Sequence, residues 1–369
     1  MSDEKKILLV GGGTGGHVVP IFELYNKLKA ETNFKIKIVG GNSEIDEKIF
    51  KDNPDYTPLD TGKLHRRLTL KNISEISKFI TVLPKSRKIV QEFQPDLIFS
   101  KGGYVSAPII YWAKKFKIPY FIHESDIHIG SANKYAIAKS KKAFVGFPIN
   151  NYSSKWRGKL TFAGQFISSD FSSGARDQLF NNNKKTLFVT GGSQGATAIN
   201  EVIFEGLIAL LSSYNVIHQT GFKDITKAIQ IKNNLSEDLK KNYFIKDFFG
   251  HENGDGGIKN AFLNSDIFIG RASVTFPAEA TSFSKPLILV PYPYASNNHQ
   301  LKNARLLAKE GACVLIEQSN LTPEILKSEV DSLIAEPEKC DKMVKNAREV
   351  FGKNALDLIY KEIISELKD

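Results

Sequence analysis

The sequence predicts an α/β protein built from two doubly wound domains, each with a parallel sheet. Its 369 residues exceed the roughly 250–300 at which a single core stops growing, so two domains are expected. One strand–glycine-loop–helix pattern occurs twice, as ILLVGGGTGGH at 7–17 and TLFVTGGSQGA at 186–196. Short apolar runs also alternate with helical patterns along the chain, and this alternation favours parallel sheets covered by helices.

In the first half, six apolar runs predict strands, and helical patterns such as that of residues 20–30 separate several of them. The low-apolar stretch at 151–159 precedes the expected crossing into the second domain. The predicted strands are Ile7–Val10, Phe34–Val39, Leu97–Ser100, Tyr120–His123, Ala143–Gly146 and Leu160–Ala163.

The second half repeats the theme. A helix is predicted to start near Pro277, because proline is tolerated at the first helical position. Residues 341–369 have a helical pattern, with Gly352 as the expected break. The predicted strands are Leu187–Val189, Val216–Gln219, Tyr243–Ile245, Ile267–Ile269, Leu287–Val290 and Cys313–Ile316.

Charge is unevenly placed along the chain. The net charge is +10, and residues 1–168 hold 27 Lys and Arg against 15 Asp and Glu, a net +12. Residues 169–369 hold 23 against 25, a net −2. A basic half predicts an anionic partner, either nucleic acid or an acidic membrane surface. A solvated surface without a partner is the plain alternative.

Other features of composition predict a cytoplasmic location. The charged start MSDEKK runs directly into the first predicted strand, so we expect no signal peptide. No apolar run approaches the ~18 residues that span a bilayer. The two cysteines, Cys313 and Cys340, match no metal-ligand spacing and indicate a reducing compartment.

The first glycine loop argues against a dehydrogenase. Gly11, Gly13 and Gly16 satisfy G-x-G-x-x-G, but a dinucleotide site also needs an acidic residue after the second strand. That strand here ends in VGGN, without a carboxylate. The loop instead carries Thr14 and His17. Two glycine loops in two facing domains suit a nucleotide-diphosphate donor and an acceptor held across a cleft.

Seven motifs, in order through residues 5–320, together resemble the MurG family, glycosyltransferases that make lipid II in bacterial peptidoglycan synthesis. They are GGGTGGHVVP (11–20), SKGGYVSAP (100–108), IPYFIHESD (118–126), SANK (131–134), VTGGSQGA (189–196), IHQTG (217–221) and NNHQLKNA (297–304).

The resemblance implies a GT-B architecture, in which two Rossmann-like domains enclose an interdomain cleft. Residues 1–163 would bind the membrane and the acceptor lipid I, undecaprenyl-pyrophosphoryl-MurNAc-pentapeptide. Residues 164–345 would bind UDP-N-acetylglucosamine, and 346–369 would return as a helix to the first domain. The implied reaction transfers N-acetylglucosamine with inversion.

Inverting transfer needs a base for the acceptor hydroxyl. His17 is the best candidate because imidazole titrates near neutrality, and Asp126 and Glu124 are further candidates. Some family members carry Asn at the position of Asp126, which weakens it as sole base. The resemblance implies acceptor contacts by Gly11, Gly12, Gly13, Thr14, Gly16, His17 and Tyr104.

The donor site is also implied by the resemblance. Glu279 falls on the glutamate that holds the ribose hydroxyls, and Ile245 sits where the uracil edge is read through backbone. The amides around residues 298–303 suit hydroxyl and acetamido recognition. The full set is Thr14, Gly15, Gly16, Asp126, Ser168, Ser193, Gln194, Ile245, Glu279, His299 and Gln300.

Three positions depart from the family pattern. Ser168 replaces a usual arginine near the donor, Ser273 replaces a common glycine, and Phe276 replaces a common hydroxyl residue near the phosphates. These departures put donor affinity and the detailed pose in question. No Asp-x-Asp metal motif occurs at the donor site, so we expect neither a metal nor a cofactor.

A stripe at helical spacing predicts membrane docking on an anionic cytoplasmic surface. Its members are Ile73, Ile76, Phe79, Ile80 and Leu83, flanked by basic residues at 71, 78, 85, 87 and 88. The alternative is a helix that packs this stripe on its own sheet. The resemblance favours docking, and hence a peripheral protein at the cytoplasmic face of the cell membrane.

Two other functions are compatible with these patterns. One is a different GT-B enzyme that glycosylates another lipid, such as diacylglycerol; the other is a non-catalytic scaffold that binds UDP-sugar or division proteins. Nucleic acid is not expected, because no binding motif or aromatic-interleaved basic run is present.

Overall fold

A computed structural model describes residues 4–61, 70–167, 176–192, 194–250 and 257–368, without the side chains of residues 70–80 and 296. The chain divides into two compact units, residues 1–168 with 353–369, and residues 169–352. Each unit contains a parallel sheet with helices, so the predicted α/β class is confirmed. The boundaries predicted from sequence lie a few residues before these crossings.

The first unit has a seven-stranded sheet in the order β3-β2-β1-β4-β5-β6-β7. Strand order reverses between β1 and β4, and ligands of doubly wound folds bind at the carboxyl edge beside such a reversal. Its elements are β1 (Lys6–Val10), α1 (Gly15–Glu31), β2 (Lys35–Gly40), α2 (Glu44–Phe50), β3 (Tyr56–Pro58), α3 (Leu70–Phe93), β4 (Leu97–Ser100), α4 (Ser106–Phe116), β5 (Tyr120–Glu124), α5 (Ser131–Ile137), β6 (Lys142–Val145), α6 (Ser154–Arg157) and β7 (Leu160–Phe162).

The second unit has a six-stranded sheet in the order β10-β9-β8-β11-β12-β13, which reverses between β8 and β11. Its elements are β8 (Thr186–Thr190), α7 (Thr197–Ser213), β9 (Asn215–Gln219), α8 (Ile225–Asn233), α9 (Glu237–Lys240), β10 (Tyr243–Lys246), α10 (Ile258–Leu263), β11 (Ile267–Gly270), α11 (Thr275–Ser282), β12 (Leu287–Leu289), α12 (His299–Lys309), β13 (Val314–Leu315), α13 (Pro323–Ala335) and α14 (Pro337–Phe351).

Every predicted strand is present, and each end agrees within one residue. The short β3 was not predicted, because three residues ending in proline give no apolar run. The helix predicted at 20–30 begins earlier, at Gly15, with Pro20 inside it. Proline lacks an N–H and normally disfavours a helix interior. The prediction therefore placed the start of the helix at Pro20 and left out residues 15–19. The helix predicted to start near Pro277 likewise begins two residues earlier, at Thr275.

The core of the first unit includes the last helix described. The last helix, α15 (Ala355–Lys368), belongs to this unit and packs against α1. Its Leu356, Ile359 and Ile363 are at most 3% exposed, in one cluster with Val18 of α1. This i, i+3, i+7 spacing gives one apolar face. Residues 352–354 interrupt the helix, as predicted at Gly352.

The core of the second unit joins α7, α13 and α14 to the sheet. Ile199, Ile203 and Leu207 of α7 share a cluster with Leu326 and Val330 of α13, all at most 1% exposed. Burial of this kind stabilises by about 25 cal/mol per Å² of apolar surface. The rigid sheet fixes where the glycine loop after β8 emerges.

Candidate functional site

The first glycine loop follows β1 and is held by backbone contacts. The Gly11 N–H donates to Val39 O at 3.1 Å. A Cβ added to Gly12 would lie 2.3 Å from Gly41 N, so this close approach of two loops requires glycine. Gly13 has φ of +87°, in the region that favours glycine.

Asp46 fastens this loop to the loop after β2. Its side chain is fully buried and accepts from the N–H groups of Gly13 at 2.9 Å and Gly41 at 3.0 Å. It also accepts from the backbone N–H of Ser43 in a capping box at the start of α2. Asp46 was not predicted from the sequence, although an Asp three residues after Ser43 is typical of a capping box.

Fewer backbone N–H groups are therefore available to an anion than the sequence predicts. The N–H groups of Gly11 and Gly13 are committed to protein acceptors. Gly15 and Gly16 open α1, and the first N–H groups of a helix have no partner within it. These two N–H groups are the better candidates to meet an anion.

His17 lies half-buried in the first turn of α1. Its Nδ1 is 3.0 Å from the Thr14 hydroxyl, and a Cβ added to Gly103 would lie 3.3 Å from the same nitrogen. Burial and the Lys101 ammonium lower the pKa of His17 to about 4, against the opposite effect of Asp126. The imidazole is therefore neutral at pH 7 and can accept a proton.

Lys101 is a further functional candidate, which was not predicted from the sequence. It follows β4, is 2% exposed, and donates from Nζ to the Ser125 hydroxyl. Burial lowers its pKa to about 8, while Glu124 and Asp126 oppose this shift. A lysine directly after a buried strand was the available signal, since lysine is rarely buried without a charge partner.

Glu124 ends β5 and organises the loop that follows. Its carboxylate accepts from the N–H of Asp126 at 3.0 Å, the N–H of Gly130 at 2.8 Å and Asn133 Nδ2 at 3.0 Å. Burial, and then the nearby Asp126 carboxylate, raise the pKa of Glu124. Glu124 thus holds the loop by hydrogen bonds, while Asp126 is half-buried and its charge acts on both Lys101 and His17.

Tyr104, predicted to contact the acceptor, is 46% exposed. It precedes α4 and follows Gly103, which borders the His17 ring. Thr14 caps the start of α1 and is exposed. The structure thus brings Thr14, His17 and Gly103 together, with Tyr104 at the next position in the chain.

The second glycine loop follows β8 and packs on the loop after β9. A Cβ added to Gly195 would lie 2.3 Å from Thr220 O, and one added to Gly221 would lie 2.6 Å from Gly195 Cα. The Gln219 amide donates to Thr190 Oγ1 at 3.0 Å and to Gly192 O at 2.9 Å. A neutral side chain therefore holds this loop, where Asp46 holds the first.

A buried polar network under α7 supports this loop. His218 Nε2 lies 3.0 Å from Asn200 Oδ1, and Asn200 Nδ2 donates to Thr220 O at 2.8 Å and to Asp224 Oδ2 at 2.8 Å. Burial lowers the pKa of His218 to about 3. His218 is thus a neutral structural histidine.

Strand β11, which precedes α11, ends beside the residue that leads into the second glycine loop. A Cβ added to Gly270 would lie 2.7 Å from Thr190 O. Glu279 lies half-buried in the second turn of α11, and Ser273 precedes the helix, also half-buried. Phe276 is 9% exposed and packs among the rings of Phe188, Phe262 and Phe268. This departure from the family pattern thus serves the core.

The predicted sugar-binding segment opens α12. Its two preceding residues, Asn297 and Asn298, have φ of +58° and +52°, a conformation that asparagine tolerates better than most residues. The Gln300 Oε1 accepts from the Tyr292 N–H at 2.9 Å. The bond to Tyr292 uses the amide oxygen of Gln300 and not its amide nitrogen. The preceding residue, His299, is half-buried.

Ser168 and Ser193 lie outside the described residues. Ile245 is paired with His218 inside the edge strand β10 and packs its side chain on the core. The backbone that emerges at the carboxyl edge is that of residues 247–249, where the Phe249 N–H donates to Gln219 Oε1 at 3.0 Å.

Of the predicted membrane stripe, only the side chain of Leu83 is described, and it is half-buried. Ile73, Ile76, Phe79 and Ile80 lie on α3, but their side chains are outside the description. Within the described residues, no helix is both long and apolar enough to cross a membrane.

Helix α4, packed on α3, carries an aromatic and basic surface. Trp112 and Phe116 stack with ring centroids 5.5 Å apart, and the Arg87 guanidinium lies 5.3 Å from the Trp112 ring. Lys114 Nζ lies 3.2 Å from the ring centroid of Tyr135, which is 45% exposed.

Comparisons with known proteins agree with this geometry. Residues 7–145 match the glycosyltransferase family 28 N-terminal domain, and residues 186–359 match the family 28 C-terminal domain. A Clostridium novyi protein named UDP-N-acetylglucosamine--N-acetylmuramyl-(pentapeptide) pyrophosphoryl-undecaprenol N-acetylglucosamine transferase is 32% identical over 365 residues, 96% of each chain. The protein of that name from Staphylococcus aureus MRSA252 is 33% identical, covering 95% of this chain and 97% of the relative.

Solved structures show the same fold. The crystal structure of Acinetobacter baumannii MurG matches with a TM-score of 0.75 at 21% identity, over 98% of this chain and 99% of that one. The Staphylococcus aureus MnaA–UDP structure matches with a TM-score of 0.67 at 13% identity, over 99% and 98%. The GT-B fold predicted from the sequence is therefore confirmed, and this chain belongs to the MurG family within glycosyltransferase family 28.

Proposed function

We propose that this protein is an inverting glycosyltransferase that moves N-acetylglucosamine from UDP-N-acetylglucosamine to lipid I, forming lipid II for peptidoglycan. The observation that carries the proposal is full-length identity of 32–33% to transferases of that name. A neutral, half-buried histidine at the mouth of the first glycine loop is the matching chemical feature.

The first unit binds the acceptor and removes its proton. His17 accepts the proton of the attacking sugar hydroxyl, since a neutral imidazole has a free nitrogen for it. The N–H groups of Gly15 and Gly16 meet the acceptor diphosphate at the start of α1. Glu124 fixes the loop that presents Asp126 and thereby acts as a positioning residue.

The second unit binds the donor. The loop at 191–195, including Ser193 and Gln194, and the start of α11 hold the diphosphate through backbone N–H groups. Glu279 binds the ribose hydroxyls, and His299 and Gln300 contact the sugar, as do Thr14, Gly16 and Asp126 of the first unit. The backbone of Ile245, in the edge strand β10, reads the uracil edge. We propose no metal ion and no cofactor.

The enzyme acts as a peripheral protein on the cytoplasmic face of the cell membrane. The net charge of +12 over residues 1–168 and the aromatic and basic surface of α4 suit an anionic leaflet, where aromatic side chains and lysines favour the interface. Proteins of cell-wall synthesis and division are the expected partners, which would connect the enzyme to cell shape and the cell cycle.

The test is transfer of radiolabel from UDP-N-acetylglucosamine to purified lipid I, with diacylglycerol as a second acceptor. We expect labelled lipid II, and no product from diacylglycerol. Product from diacylglycerol alone would favour the other lipid glycosyltransferase. Donor binding without transfer to either lipid would favour the non-catalytic scaffold.

A further inference from the structure

Each sheet places a buried cation beside its glycine loop. Ser100 of β4 pairs with Val10 of β1, and Gly270 of β11 pairs with Thr190 of β8. The next residues are Lys101 and Arg271, which are 2% and 8% exposed. Both cations therefore stand at the point where the strand order reverses, at the carboxyl edge where ligands of this fold class bind.

Among the described residues, the cation of the second sheet has no carboxylate as an ion-pair partner. The Arg271 Nη1 donates to Val290 O at 3.2 Å, and the guanidinium carbon lies 5.3 Å from the Tyr292 ring centroid. Burial lowers the pKa of Arg271 to about 10, so the group remains charged at pH 7. Within the described parts of the chain, no carboxylate lies in ion-pair distance of it. A buried charge left without a counter-ion is unfavourable.

The surroundings of Arg271 point to a ligand as the missing anion. Arg271 precedes the start of α11 by four residues, and the adjoining Gly270 lies against Thr190, whose hydroxyl accepts from the Gly192 N–H at 2.9 Å. The second glycine loop, the segment that leads into α11 and a guanidinium thus lie at one edge of the sheet. Guanidinium groups bind phosphate oxygens with two parallel hydrogen bonds.

Arg271 also connects to the predicted sugar contact. Its aromatic partner Tyr292 donates its N–H to Gln300 Oε1 at 2.9 Å. Tyr292 therefore contacts both Arg271, where an anion would bind, and Gln300, whose amide we assign to the donor sugar. Diphosphate and sugar of one donor molecule can satisfy both groups.

We propose that Arg271 binds the diphosphate of the donor. This inference rests on the proposed function. During transfer, the bond from the sugar C1 to the β-phosphate oxygen breaks and its electron pair remains on UDP. The guanidinium of Arg271 stabilises that added negative charge, as preorganised cations do at phosphoryl leaving groups.

The test is calorimetric titration of the full chain with UDP and with uridine, which lacks the phosphates. For Arg271→Met we expect UDP affinity to fall about 10- to 100-fold, the range for hydrogen bonds to a charged group, with uridine affinity unchanged. Arg271→Lys keeps the charge without the paired geometry and should lose several-fold. Arg305→Met, which removes an exposed charge from the same unit, should match the wild type.

The outcomes separate two failures. If folded Arg271→Met keeps the wild-type preference for UDP over uridine, the inference is wrong while the donor site stands. If either variant weakens UDP and uridine equally, Arg271 is structural and the inference is again wrong. If Arg271→Met does not fold, the same comparison in Arg271→Lys decides. Wild-type protein that binds UDP no better than uridine would instead contradict the proposed function.

Discussion

The two glycine loops are alike in backbone and differ in charge. Each follows a central strand and leads into a helix of 17 residues, α1 or α7. The first loop is held by the Asp46 carboxylate, and its buried Lys101 is influenced by Glu124 and Asp126. The second loop is held by the neutral Gln219 amide, and its buried Arg271 pairs with a backbone carbonyl.

This difference indicates a division of labour. The first loop balances charges of both signs around His17, an arrangement that tunes a proton acceptor. The second loop leaves a cation uncompensated among the described residues, an arrangement that attracts a phosphate. Similar backbones can therefore serve proton transfer in one unit and leaving-group binding in the other.

The largest expected effect concerns the first loop. His17→Ala should lower turnover by about 100-fold or more, the usual scale for loss of a general base. Steady-state transfer of labelled sugar to lipid I measures it, with UDP calorimetry as the control for folding. Turnover within a few-fold of the wild type would remove His17 from the mechanism.

A smaller effect is expected in the second unit. Glu279→Ala should raise the donor KM about tenfold, the scale of one charge-assisted hydrogen bond, and change kcat less, since ribose contacts persist through the reaction. Glu310→Ala, an exposed acid in the same unit, is the matched control. A pure kcat defect with an unchanged donor KM would give Glu279 another role.

Lys101 tests whether the first loop tunes its histidine. The groups that act on His17 are Lys101, Asp126 and Asp46, with the Gly12 backbone as a hydrogen-bond partner. Because the ammonium lowers the pKa of His17, Lys101→Met should raise it from about 4. The acid limb of kcat/KM then moves to higher pH by several tenths of a unit or more.

The control for this shift is Lys101→Arg, which keeps the charge and should keep the wild-type limb. A pH–rate profile between pH 3.5 and 8, taken with thermal melting, distinguishes tuning from unfolding. An unshifted limb in folded Lys101→Met would show that Lys101 leaves His17 unaffected.

The smallest effect is expected for the apolar stripe on α3, in the basic first half of the chain. Phe79→Ser with Ile80→Ser should weaken binding to anionic vesicles a few-fold, because two apolar side chains leave the interface while the nearby cations, each worth about 1 kcal/mol, remain. Vesicle flotation at rising salt measures it, and activity on a water-soluble lipid I analogue should persist. Loss of both properties together would place the stripe in the core.

Local patterns carried most of the fold prediction. Buried strands of a parallel sheet are continuous apolar runs, so Leu97–Ser100 and its counterparts could be found by residue type alone. Pro20 and Pro277 misplaced two helix starts, since proline reads as a boundary even where a first turn precedes it. The strand β3 was too short to give a pattern.

The candidate site was less predictable, because its side chains act through long-range contacts. The glycines, His17 and Glu279 lie in motifs. Lys101 and Arg271 could be recognised as candidates only from the strand order, which places each beside a glycine loop. Ile245 was assigned by motif position and lies in the edge strand β10, so its role in reading the uracil edge stays a prediction.

The central claim is that the two loops hold different substrates, and hydrogen–deuterium exchange of the full chain tests it most directly. With UDP alone, we predict protection of amides at 190–195 and 270–279 and none at 11–17. With a soluble lipid I analogue alone, we predict protection at 11–17 and none at 190–195. Protection of the first loop by UDP, or of one and the same loop by both ligands, would contradict the account.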